Sequence, residues 1–177
     1  YRDNYCKEEP MINVGVIGAT GYAGAELMRL LHMHPEVNNI HASSVSYKGE
    51  PFSHIYQNFY TIDDALCVDV DISKLSKECD IIFLSLPHGL ASKMVTKEIL
   101  ANCIVVDLGA DYRLKDINTY TSWYKTEHHS KELIPSAVYG LSELYRKEIQ
   151  QTRLVANPGC YTTCSILSLA PLVKDHL

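Results

Sequence analysis

The sequence predicts an α/β fold built on a mostly parallel sheet with helices on both faces. Three observations carry this. Short apolar, β-branched runs such as "INVGVI" and "CDIIFLSL" recur along the chain, segments of helical spacing separate them, and glycine or proline marks most junctions. Strands alternating with helices imply βαβ units, and a strand buried on both faces reads as a continuous apolar run.

Residues 12–18 form the first predicted strand. Residues 22–35 follow with helical spacing; Ala23, Leu27, Leu30 and Leu31 fall on one side and Pro35 marks the end. Residues 39–45 read as a second strand, residues 46–59 as irregular, and residues 65–71 as a weaker strand candidate. Residues 79–87 read as a central strand, 89–102 as one amphipathic helix and 103–109 as a strand again. No period dominates residues 112–133, within which "KTEHHSKE" (125–132) reads as a solvated loop. Residues 136–141 suit a strand or a turn, 142–150 a short helix, and 152–159 a strand running into a turn; a last helix opens after it.

With 177 residues, the chain is long enough to bury a sizeable core. A formal net charge of −5 argues against a general nucleic-acid binder. No apolar run approaches the roughly 20 residues of a membrane span, and "YRDNYCKEEP" has no signal-peptide core. The six cysteines are scattered, which fits reduced thiols in a cytoplasmic setting better than a disulfide framework. Residues 1–10, before Met11, read as a native extension or an added remnant. The final "LSLAPLVKDHL" stops inside a helical pattern, so the sequence reads as the front part of a longer polypeptide.

"GVIGATGYAGAEL" joins the first strand to the first helix, with Gly18, Gly21 and Gly24 spaced G-x-x-G-x-x-G. Glycines allow a tight turn and close backbone approach to a pyrophosphate, and the helix start offers N–H groups to it. The strand–turn–helix context makes this a Rossmann-type dinucleotide loop. An NAD site places an acidic residue about 20 residues further on, at the end of the second strand. Here the segment is "HASSVSYKGE": Ser43, Ser44 and Ser46 stand in place of an acid and Lys48 is close by. Hydroxyls and an ammonium suit a 2′-phosphate, so the expected cofactor is NADP(H); a serine-rich surface turn is the plainer alternative.

"VANPGCYTTC" places Cys160 at a strand end and a helix start. The positive end of a helix dipole favours thiolate over thiol. Cys160 and Cys164 lie four apart on one face, but no His or Cys pair of matching spacing completes a metal site, and none is expected. A buried structural cysteine is the competing reading. A nucleotide fold with a thiolate suits one chemistry: attack on an activated acyl carbon, then hydride reduction of the thioester to an aldehyde, with a general acid/base assisting.

"VGVIGATGYAGAELMRLLHMHPEV", "LSLPHGLA", "VVDLGADYRL", "VYGLSEL" and "NPGCYTT" together resemble the N-acetyl-gamma-glutamyl-phosphate reductases, in order from about Met11 to the end. The glycine loop alone also suits aspartate-semialdehyde dehydrogenase. The resemblance implies NADPH-dependent reductive dephosphorylation of N-acetyl-L-glutamyl 5-phosphate to the 5-semialdehyde in arginine biosynthesis, with release of inorganic phosphate. It implies Cys160 as nucleophile, and Gly18, Thr20, Gly21, Tyr22, Ala23 and Gly24 as the cofactor loop, joined by Ser43, Ser44 and Lys48. Pro87 and His88, in "LPHG", match a segment beside the cofactor. Capping or burial is the plainer role for His88.

Arg113, Glu143 and Asn157 are candidate substrate-side residues; Arg113 suits a carboxylate or phosphate, or else a surface salt bridge, and Glu143 matches a family position near the active site but also suits ordinary first-turn charge. The family is cytoplasmic or organellar and usually tetrameric. This chain departs from it at Val45, often Arg, and at Gly109, commonly Ser; Lys48 offers a cation in the arginine's place. None of the eight histidines matches the family's catalytic histidine, which lies in the second half. The implied organisation is residues 11–157 as an NADP-binding domain and residues 158–177 as the opening of a second, α+β catalytic domain whose remainder lies beyond this sequence. A carrier-linked aminoadipyl-phosphate reductase of the lysine pathway shares these motifs, and a non-catalytic nucleotide-binding regulatory module is the alternative of another class.

Overall fold

The computed structural model describes residues 11–176; residues 1–10, read as a native extension or an added remnant, lie outside them. Among the described residues six strands form one sheet: β1 (Ile12–Ile17), β2 (Val37–Ser43), β3 (Ile81–Leu84), β4 (Ile104–Asp107), β5 (Val138–Tyr139) and β6 (Leu154–Ala156), in the order β2-β1-β3-β4-β6-β5. The registered pairs β1–β2, β4–β6 and β5–β6 are all parallel. The chain divides into two compact units between Ile82 and Phe83.

In the first unit, β1 buries Val14, Val16 and Ile17 and pairs with β2 from Asn13 opposite Asn39 to Ile17 opposite Ser43. Helix α1 (Tyr22–His32) buries Gly24, Met28 and Leu31, one stripe at helical spacing. The expected face is therefore rotated: Leu31 belongs to it, but Ala23 is exposed and Leu30 lies 51% exposed. The cause is Gly24. A Cβ there would come within 2.2 Å of the Gly18 carbonyl oxygen, so the helix presses its glycine face onto the loop.

The segment expected to be irregular holds a short helix, α2 (Phe52–Ile55), and a 3-10 turn over Gln57–Phe59. Buried Phe52 and Phe59 meet edge to face at 4.9 Å, which gives this segment its own small core. The expected strand over 65–71 makes only isolated bridges, Val68 to Ser43 and Leu66 to Pro51. Asp71 draws the chain out of extended structure by accepting from the Lys74 amide at 2.9 Å, capping α3 (Ile72–Glu78), a helix the sequence reading missed.

In the second unit the single helix expected over 89–102 is two, α4 (Ala91–Met94) and α5 (Lys97–Asn102). Val95 is extended and ends α4, and Thr96, extended too, caps α5 with a hydroxyl that accepts from the Ile99 amide. A helix also stands where no period dominated: α6 (Ile117–Tyr124), capped by Asp116 and closed by Lys125 in the left-handed region. The last helices are α7 (Ser142–Ile149) and α8 (Cys160–Lys174). The "KTEHHSKE" reading needs correction, since His128 and Ser130 are buried. His128 lies edge to face with Tyr112 and Tyr120, both at 5.2 Å, and its Nε2 bonds the Asp111 carbonyl oxygen at 2.9 Å. Cys67, Cys79 and Cys103 are buried and Cys160 and Cys164 exposed.

Candidate active site

The glycine loop is built by close approach. Gly18 adopts φ +83°, a conformation that favours glycine, and its amide and that of Ala19 both donate to the Ser43 carbonyl at 3.0 and 3.2 Å. The loop is thereby tied to the end of β2. A Cβ on Gly24 would also lie 2.8 Å from the Ala19 backbone, so only glycine lets α1 start so close. Among the described residues no side chain caps the start of α1, and its first turn carries no acid. A tight glycine turn feeding an uncapped, acid-free helix start fits the pyrophosphate of a dinucleotide.

Around this loop, Thr20 Oγ1 and Ser44 Oγ share a hydrogen bond of 2.9 Å, and the Tyr56 hydroxyl donates to the Thr20 carbonyl at 2.9 Å. Tyr22 and Ala23 are exposed. Ser43 and Ser44 are buried, and the Ser43 hydroxyl donates to the Asp69 carbonyl at 3.0 Å. Both serines thus brace the strand end. Lys48 is exposed and its Nζ lies 2.6 Å from Asp69 Oδ2. Asp69 and Tyr56 were missed by sequence reasoning, because neither belongs to the strand or loop that carries the fingerprint.

In the second unit, Asp111 organises the turn after β3. Its buried carboxylate accepts from the Gly89 amide (2.6 Å), the Ser92 amide (2.8 Å) and the Tyr120 hydroxyl (2.8 Å). Pro87 and His88 stand exposed on that turn, with the His88 ring 5.3 Å from Tyr124; His88 is neither cap nor core. After β4, the buried Asp107 accepts from the Gly109 amide through Oδ1 at 2.9 Å, while its carbonyl accepts from the Asn157 amide at 2.9 Å. Its Oδ2 has no partner among the described residues. Burial pushes the Asp107 carboxyl up to about 7, against the Gly109 amide bond; nearby Asp111 adds to the rise and Arg113 opposes it.

Arg113 joins two turns. Its Nε donates to the Asn157 carbonyl at 2.7 Å and its Nη2 to the Leu108 carbonyl at 2.8 Å, so the planar fork spans the ends of β4 and β6. Among the described residues its partners are backbone carbonyls, not a carboxylate. Nη1 lies 3.2 Å from where a Cβ on Gly159 would stand. Gly159 precedes α8, and Cys160 is its first residue, exposed, with no side-chain cap and no acid in the first turn. Arg113, Asn157 and the Cys160 turn are therefore one cluster. Glu143 is exposed in the first turn of α7 and shares no hydrogen bond with that cluster among the described residues.

Residues 13–152 match the family described as semialdehyde dehydrogenase, NAD binding domain. The chain is 46% identical over 167 residues to the N-acetyl-gamma-glutamyl-phosphate reductase of Lachnoclostridium phytofermentans, covering 94% of this chain and 48% of that protein. Its identity to the protein of the same name from Desulforamulus reducens is 50% over 167 residues, with the same coverage. The chain thus spans about half the length of the curated relatives it matches. In fold it is similar to aspartate semialdehyde dehydrogenase II of Vibrio cholerae complexed with ASA (TM-score 0.64, 19% identity, 93% of this chain and 47% of that one). It is similar too to the aspartate semialdehyde dehydrogenase with NADP from Candida albicans (TM-score 0.62, 20% identity, 93% and 47%). By the match over residues 13–152, the chain belongs to the semialdehyde dehydrogenase family, through its NAD-binding domain.

Proposed function

We propose that this chain is the nucleotide-binding part, and the start of the catalytic part, of an NADPH-dependent N-acetyl-gamma-glutamyl-phosphate reductase. The observation that carries the reading is the exposed Cys160, the first residue of a 15-residue helix, beside the Arg113–Asn157 contact. Relatives of that name at 46% and 50% identity support it. In this reading residues 11–157 bind the cofactor and residues 158–177 open the catalytic domain of a cytoplasmic homotetramer.

The glycine loop, with Thr20, Tyr22 and Ala23, holds the pyrophosphate, and Lys48 faces the ribose 2′-phosphate; Pro87 and His88 line the cofactor side. Bound NADPH supplies a hydride. The Cys160 thiolate attacks the acyl-phosphate carbon; a C–S bond forms, the C–O bond to phosphate breaks, and inorganic phosphate leaves with the electron pair. Once the thioester carbon is reduced, the C–S bond breaks, the aldehyde departs and the thiolate is regenerated. Arg113 holds the Cys160 turn in place and directs positive charge at the leaving phosphate. Asn157 and Glu143 line the substrate side.

The test follows NADP reduction by the complete protein with N-acetyl-glutamate semialdehyde, with and without phosphate, for native protein and Cys160→Ala. Phosphate-dependent activity that vanishes in the variant supports the reading. An inactive native protein that still binds cofactor overturns it, in favour of the aminoadipyl homologue or a regulatory module.

A further inference from the structure

The end of β2 lacks the acidic residue of an NAD site, yet an acid stands beside it, delivered by another segment. Val68 bridges to Ser43, the last residue of β2, and the Ser44 amide donates to the Val68 carbonyl at 3.1 Å. The Ser43 hydroxyl reaches the next carbonyl, that of Asp69, at 3.0 Å. The Asp69 carboxylate is therefore tethered to the strand end through its own backbone. It is also oriented: Oδ1 accepts from the Val70 amide at 2.8 Å and Oδ2 from Lys48 Nζ at 2.6 Å. Both side chains of the pair are 61% exposed, so a ligand can reach either.

We propose that Asp69 is a specificity-determining residue that opposes Lys48 at the end of β2 and restrains the chain's preference for NADPH over NADH. This rests on the cofactor reading above. A 2′-phosphate and the Asp69 carboxylate compete for one ammonium. A phosphate bonded to Lys48 at ordinary charge-assisted distances lies within about 6 Å of that carboxylate. Like charges so placed repel in partly exposed surroundings, and the repulsion weakens with salt. NADH carries no 2′-phosphate and escapes it. The buried serines give no counterweight, because their hydroxyls are engaged with Asp69 and Thr20.

The test is calorimetric titration of the full chain with NADPH and with NADH, for native protein and Asp69→Asn, at low and at near-physiological salt. Asn keeps an oxygen for the Val70 amide and loses the charge. The expected result is NADPH binding tightened by about tenfold at low salt and about threefold near 0.15 M, with NADH changed by less than about twofold. Equal changes for both nucleotides would mean that Asp69 only shapes the loop, and weaker NADPH binding would mean that it orients Lys48; either result overturns the proposal while leaving the cofactor reading intact. A native chain that binds neither nucleotide overturns both.

Discussion

Asp107 is held in a costly state at the residue scale. Its carboxyl is fully buried, one oxygen lacks a partner among the described residues, and burial lifts it to about 7 from an ordinary 3.8. Between those values the folded chain binds a proton that the unfolded chain has released, so stability falls as pH rises from about 4 to 7. The loss is expected on the order of a few kcal/mol. His128 acts with the opposite sign. Burial holds it below its ordinary 6.5, so the unfolded chain binds the extra proton and stability falls as pH drops through that region. The difference between native chain and Asp107→Asn isolates the first effect. Urea midpoints measured at pH 5 and pH 8 are expected to drop more for the native chain than for the variant; parallel drops would show that Asp107 is ordinary.

Arg113 is the tie at the scale of elements. Strands β4 and β6 pair through Val105–Asp107 and Leu154–Ala156, and the turns beyond them are held by one guanidinium on two carbonyls. Loss of two charge-assisted bonds predicts about 2–4 kcal/mol of destabilisation for Arg113→Ala. Arg113→Lys is expected to recover less than half of that, because a point ammonium does not span both carbonyls as a fork does. On the proposed function the chemistry also depends on the tie, so modification of Cys160 by iodoacetamide is expected to slow in both variants under conditions where they stay folded. An unchanged rate would confine Arg113 to stability. This contact joins residues 44 apart in sequence, and no spacing rule points to it. The Asp71, Thr96 and Asp116 caps, in contrast, are local signals, and they account for helices α3, α5 and α6 that the apolar period did not delimit.

On the scale of the whole molecule, the chain spans 48% of relatives at 46% and 50% identity, and the family resemblance implies a general acid/base histidine that none of its own histidines matches. On the proposed function, the 177-residue chain is expected to bind NADPH and yet turn over far more slowly than a protein of its relatives' full length; comparable turnover would place the base within these residues. The alternation of strand and helix, the dinucleotide loop and Cys160 at a helix start were all legible beforehand, because each is written in a local pattern: an apolar run, a glycine spacing, a turn before a helix. The rotated face of α1 was not legible, since contact between Gly24 and the Gly18 carbonyl sets it. Asp69 beside β2 and Asp111 beneath the Gly89 turn were equally hidden. Hydrogen bonds between residues 26 and 22 apart bring them there, and such pairings arise from strand register and burial, which no short stretch of sequence encodes.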